Sequence, residues 1–285
     1  PRREIGLSYS FFLHHVREMG SMRRSGMLLV FTIVLIAGFL ALPLVALVLK
    51  VLPQEGVWAT LQQPLVTESL RLSLLTSLSS LCVAVVLGTP VAYLLARCRF
   101  PGVVVVDTLI DLPMVLPPTV AGVALLMTFG RRGLLGAWLD MFGLQIGFTT
   151  IAVVLAQSFV SAPFYIRAAR AGFQSVDQDL ERVAYTLGHS PLRTFLRVTV
   201  PLAFPALLSG AVMAWARALG EFGATIMFAG NLLGRTQTMP LAIYTAMESD
   251  LTAALVLSLI LVIVSFSVLF SVRLLLHRSP FGSYA

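Results

Sequence analysis

Apolar residues run along this chain in long blocks, near residues 27–49, 70–95, 103–129, 148–169, 200–219 and 251–275. Each block reaches the roughly 20 residues that a helix needs to cross the hydrocarbon core of a bilayer. The pattern predicts an all-α integral membrane protein with six transmembrane helices. Several blocks contain Gly or Pro, which buried neighbours tolerate in a membrane bundle. Between the fourth and fifth blocks the character changes. Residues 181–205, from Glu181 through Gly188, Pro191 and Pro201 to Pro205, are too polar and too punctuated to span.

That insert reads as a short amphipathic helix of nine to twelve residues. Ser175 or Asp177 stands where a cap belongs, and Asp177, Asp179 and Glu181 place negative charge at the positive end of the helix dipole. Val176, Leu180, Val183, Ala184 and Leu187 recur at spacings of three and four and predict one apolar stripe. Gly188 occupies the position of a left-handed C-terminal cap, and Pro191 prevents continuation. A second short helix is expected to lead through Phe195 to Pro201. The residues alone leave two readings open: a loop that happens to be amphipathic, or a handle for a soluble partner.

The other punctuation lies inside the spans. Pro113, Pro117 and Pro118 interrupt backbone hydrogen bonding in the third block and predict a broken helix whose carbonyls can line a cavity. Gly220, Gly223 and Gly230 permit close helix approach.

Composition agrees with the block pattern. Hydrophobic residues make up 58% of the chain and charged residues 12%, where a soluble domain carries about a quarter charged residues; the mean hydropathy is +0.91. The basic residues set an orientation. With the N-terminus in the cytoplasm, fourteen of the twenty Lys and Arg fall inside, leaving Lys50, Arg71, Arg131, Arg132, Arg217 and Arg235 for the membrane or outer side. The expectation is a multi-pass protein of the inner (cytoplasmic) membrane with both termini cytoplasmic. The net charge of +7 follows from that bias and requires no nucleic acid.

Several chemistries fall away. The single lysine, Lys50, follows Val48 and Leu49, so no phosphate-cradling Gly-Lys-Ser/Thr loop exists and this chain is not expected to hydrolyse ATP. His, Cys and carboxylates do not gather at metal-ligand spacing, and no catalytic residue or metal site is expected. The carboxylates that would serve proton coupling are Asp107, Asp111 and Glu221. Glu221 lies one turn after Arg217, a spacing at which an ion pair neutralises both.

Gly188, nine intervening residues and then Val198-Thr199-Val200-Pro201 resemble the tail of the EAA loop in permease subunits of type I ABC importers. The head departs from that pattern: Arg182 stands where the signature Glu is expected and Val183 where the first Ala is, with Glu181 and Ala184 beside them. The resemblance implies a type I ABC importer permease fold with a cytoplasmic coupling helix that docks on a separate ATPase, through Glu181, Arg182, Ala184, Gly188, Pro191 and Pro201. Two further stretches, Asp111 to Gly122 and Ala216 to Asn231 continuing to Tyr244, resemble molybdate/tungstate permeases. The resemblance extends over residues 68–275, with the coupling loop at 175–201. Residues 1–26 are expected to form a cytoplasmic extension, 27–67 the first span and an outer loop, and 276–285 a cytoplasmic tail.

By this resemblance the chain pairs with a second copy, with two ABC ATPase subunits that bind ATP and Mg, and with a periplasmic or extracellular molybdate/tungstate-binding protein. No cofactor is expected in the chain itself. Pro117, Pro118, Glu221, Thr225 and Asn231 become candidates for the translocation pathway or gate. Arg131, Arg132 and Arg235 become candidates for receiving an anion on the outer side. The alternatives are a sulfate/thiosulfate permease of the same class and an ion-coupled secondary transporter.

Overall fold

The computed structural model describes the backbone of residues 4–54 and 57–278 and the side chains of 27, 29–54, 57–272 and 274. Residues 1–3 and 279–285, parts of the expected extension and tail, lie outside the described residues. The chain divides into Pro1–Glu55 and Gly56–Ala285. The first unit is one helix, α1 (Glu4–Val51), whose stretch Leu29–Val51 is long and apolar enough to span.

The second unit contains α2 (Val57–Leu61), α3 (Pro64–Arg97), α4 (Val103–Val115), α5 (Pro118–Phe129), α6 (Gly136–Met141) and α7 (Thr150–Ser175). Next come α8 (Gln178–Thr186), α9 (Pro191–Thr194), a π-helical turn at Phe195–Thr199 and α10 (Val200–Leu219). α11 (Gly223–Ala229), α12 (Met239–Ser249) and α13 (Leu251–Arg278) complete it, and the described residues contain no strand.

Five of the six predicted spans are single helices, and the third is broken as its prolines require. The path bends by 116° between α4 and α5, across Leu116 and Pro117. Leu116, restricted by the following proline, leaves the helix at ψ 135°, and Pro118 opens α5 at a position where a missing N–H costs nothing. Pro113 does not take part in the break. It stays inside α4, buried in the last turn, where its missing N–H leaves the Leu109 carbonyl without its usual helical partner. The fifth span starts earlier than the apolar block suggested. α9, the π turn and α10 form one 29-residue helical run, Pro191–Leu219.

In hydrocarbon the hydrophobic effect does not press helices together, so contact depends on close van der Waals packing and interhelical hydrogen bonds. α3 supplies both through a buried stripe of small residues: Ser69, Ser73, Thr76, Ser77, Ser80, Ala84, Gly88 and Ala92. The part from Ser80 onward packs on α7, where Ser158 donates to Ser80 at 3.1 Å and Tyr165 donates to Thr89 at 2.7 Å, while Ser73 accepts from the Met239 N–H of α12 at 2.7 Å. Thr76 and Thr89 send their own protons back to the carbonyls of Leu72 and Val85, at 2.8 and 2.6 Å. α10 also closes on α7: a Cβ built on Gly210 would lie 2.6 Å from the Ala168 Cβ. α5 and α11 are equally close, since a Cβ on Gly122 would lie 2.7 Å from the Ala224 carbonyl oxygen.

Gly210→Leu is expected to destabilise the bundle by about 1–3 kcal/mol, because α7 and α10 must separate. Thermal unfolding in detergent, followed by size-exclusion, checks it as a lowered melting temperature.

Candidate functional site

The connection between α7 and α10 folds as its residues dictate. Asp177 caps α8, its Oδ1 accepting from the Asp179 N–H at 2.9 Å. At the other end Gly188 adopts φ +83°, and two reverse bonds close the helix. Gly188 N–H donates to the Tyr185 carbonyl at 3.0 Å and His189 N–H to that of Ala184 at 3.1 Å. This paired arrangement satisfies carbonyls that would otherwise be orphaned. Ser190 then caps α9 and Pro191 opens it.

The predicted apolar stripe of α8 divides between two faces. Val176 and Ala184 turn inward and are 5% and 6% exposed, whereas Leu180, Val183 and Leu187 face outward at 47%, 55% and 75%. Leu192 and Leu196, on the following turn, are also exposed. The helix therefore has an inner apolar edge holding it to the bundle and an outer one that nothing among the described residues covers. Among the expected coupling residues, Glu181 and Ala184 are buried, Arg182, Gly188 and Pro191 are exposed, and Pro201 is half-buried. Arg182 makes a surface pair with Asp179 at 2.8 Å.

Glu181 has an unexpected partner. Its carboxylate accepts from Arg97 Nη2 at 2.7 Å and from the Thr199 hydroxyl at 2.8 Å, and the same Arg97 nitrogen reaches the Val176 carbonyl at 3.1 Å. Tyr93, one turn before Arg97, stacks edge-on against Phe173 and Phe195 beside this group. Sequence reading missed Arg97 and Thr199. They lie 84 and 18 residues from Glu181, and no periodicity connects them.

The carboxylates considered for proton coupling each face arginine. Asp107 pairs with Arg170 at 2.5 Å and lies 3.8 Å from Arg167, and Arg167 also grips Asp111. Two acids and two bases thus join α4 to α7 as a neutral group. Glu221, 1% exposed, accepts from Arg217 at 2.7 Å as the four-residue spacing predicts. Its other oxygen caps α11 by accepting from the Ala224 N–H at 2.8 Å.

The candidate pathway residues fall into two places. Pro117 and Pro118 are exposed at the break, and α11 packs there so closely that a Cβ on Gly223 would meet the Pro118 Cβ at 2.8 Å. Glu221 and Thr225 flank that contact, and Thr225 is fully enclosed within the subunit. Asn231 is separate, its amide donating to Thr245 at 2.8 Å beside α12. Arg131, Arg132 and Arg235 are all exposed. Arg131 lines a cleft of about 230 Å³ with Phe129, Asp140 and Phe148, and the Arg235 carbonyl accepts from Thr150 at 2.9 Å.

The family model for binding-protein-dependent transport system inner membrane components matches residues 84–279. The chain is 45% identical over 245 residues to the molybdenum transport system permease protein ModB of Mycobacterium tuberculosis (strain ATCC 25618 / H37Rv), covering 86% of this chain and 91% of that protein. It is 34% identical over 249 residues to the sulfate transport system permease protein CysT of Synechocystis sp. (strain ATCC 27184 / PCC 6803 / Kazusa), covering 86% and 87%. Among solved structures, a chain of a bacterial ABC transporter involved in the import of the acidic polysaccharide alginate superposes with a TM-score of 0.72 at 16% identity. That match covers 93% of this chain and 99% of the other, and the shared fold is that of type I ABC importer permeases.

Arg217→Gln leaves a buried carboxylate unpaired and is expected to cost about 3 kcal/mol, the lower end of the usual range because Arg217 is partly exposed. Adding Glu221→Gln is expected to recover most of the loss in the same thermal unfolding measurement.

Proposed function

The chain belongs to the binding-protein-dependent transport system inner membrane components, and we propose that it is the permease subunit of an ATP-driven importer for molybdate. In this reading two copies pair around the translocation pathway. Separate ATPase subunits hold ATP and Mg and dock on α8 from the cytoplasm, and a binding protein delivers the oxyanion from the opposite side. Both termini then lie in the cytoplasm, as the distribution of arginine favours.

The observation that carries the proposal is the outward face of α8. Leu180, Val183 and Leu187, joined by Leu192 and Leu196, form an exposed apolar patch on a polar connection, rimmed by Asp179, Arg182, Arg193 and Arg197. An apolar centre with a charged rim is the anatomy of a protein contact. Closure of the ATPases around ATP would draw the two α8 helices together and turn the pathway from inward- to outward-facing. The permease needs only weak contacts with the anion, because tight binding would prevent release; selectivity belongs to the binding protein. Molybdate is favoured over sulfate by the greater identity to the molybdenum permease. Ion coupling is disfavoured because Asp107, Asp111 and Glu221 are each paired with arginine.

The test uses the permease co-purified with its ATPase in liposomes. Molybdate-loaded binding protein is expected to raise ATP hydrolysis several-fold over the unloaded protein, and sulfate-loaded protein is not. Leu187→Asp, at a site 75% exposed, is expected to leave the permease folded and to strip the ATPase from it. Stimulation by sulfate would change the substrate, and retention of the ATPase by Leu187→Asp would remove the docking face.

A further inference from the structure

We propose that the Glu181–Arg97 pair is the contact through which a push on α8 reaches the transmembrane helices, making Glu181 a positioning residue outside the surface that the ATPase touches. This rests on the reading that an ATPase docks on α8. The Glu181 and Arg97 side chains are 8% and 10% exposed within one subunit. Leu180, Val183 and Leu187 occupy the opposite, outward side of the helix. A partner seated on those three leucine and valine side chains has the body of α8 between itself and the carboxylate.

The carboxylate joins four elements at one point. It sits on α8, takes Arg97 from the last turn of α3, and takes Thr199 from the π turn that leads into α10. Through Arg97 it also holds the Val176 carbonyl at the end of α7. Without this group α8 is attached only by its two connectors and a shallow inner edge. On one side Val176 and Asp177 are extended, with ψ 123° and 125°; on the other Gly188 has φ +83°. A helix held by those connectors and that edge alone would lose its ion pair to α3 and its hydrogen bond to the π turn. With the charge pair in place, the load passes to the ends of two spans, α3 at Arg97 and α10 at Thr199. The π turn fits this role, since such turns mark functional positions inside longer helices.

The experiment uses the full complex in liposomes and two readouts: the amount of ATPase that co-purifies, and molybdate taken up per ATP hydrolysed. Glu181→Gln and Arg97→Gln are each expected to keep the ATPase bound and to lower uptake per ATP more than tenfold. The exchanged pair Arg97→Glu/Glu181→Arg is expected to recover at least a third of the lost coupling. Thr199→Val retains both charges and removes one bond, so it tests the same group with little risk to folding; about a threefold loss of coupling is expected. Loss of the ATPase from Glu181→Gln but not from Arg97→Gln would make Glu181 a docking contact and overturn the inference. Unchanged coupling in Thr199→Val, or in both single charge variants, would overturn it equally. By contrast, retention of the ATPase by Leu187→Asp overturns the docking face itself, which separates the two failures.

Discussion

A charge enclosed by protein and lipid has no water to stabilise it, and in this structure four acids in or near the spans lie against bases. Asp107 and Asp111 meet Arg170 and Arg167, Glu221 meets Arg217, and Glu181 meets Arg97. Each pair also fixes geometry. The first group ties α4 to α7 just before the sharp bend, and the second caps α11 while holding the end of α10. The third joins the α7–α10 connection to α3. The pairs therefore sit where one helical piece hands over to another, which is where a bundle without a hydrophobic driving force between helices is least secure.

Between those points the packing is dense and nearly featureless, and small residues make it so. The serine, threonine, alanine and glycine stripe of α3 lets α7 approach closely, and Gly172 and Gly210 do the same between α7 and α10. Close packing of this kind tolerates rigid-body movement better than internal deformation. The α3–α7–α10 group is accordingly suited to move as one piece, with adjustment confined to the connections around it.

Much of this was legible in the sequence because local rules govern it. The six apolar blocks, the break at Pro117, the Asp177 cap, the left-handed Gly188 and the Arg217–Glu221 pair all depend on residues within a turn or two of one another. The errors arose where tertiary contact overrides local pattern. The stripe on α8 looked continuous, but burial splits it because the helix touches the bundle along one edge only. Pro113 looked like a breaker and is accommodated inside α4. The partnership of Glu181 with Arg97 and Thr199 could not be read at all, since two distant segments meet there and only the folded chain brings them together.

Pro191–Leu219 is an uninterrupted helical run of 29 residues, which at 1.5 Å per residue is a rod about 40 Å long. One end emerges from the α8 connection and the other terminates at the Arg217–Glu221 cap beside the broken α4–α5 pair. Moving with α3 and α7 as one piece, such a rod has the length of a lever arm. A tilt of about 10° at the first end sweeps the far end through about 7 Å, more than one helical turn. In the proposed importer, small displacements of α8 would be converted into movements as large as a tetrahedral oxyanion.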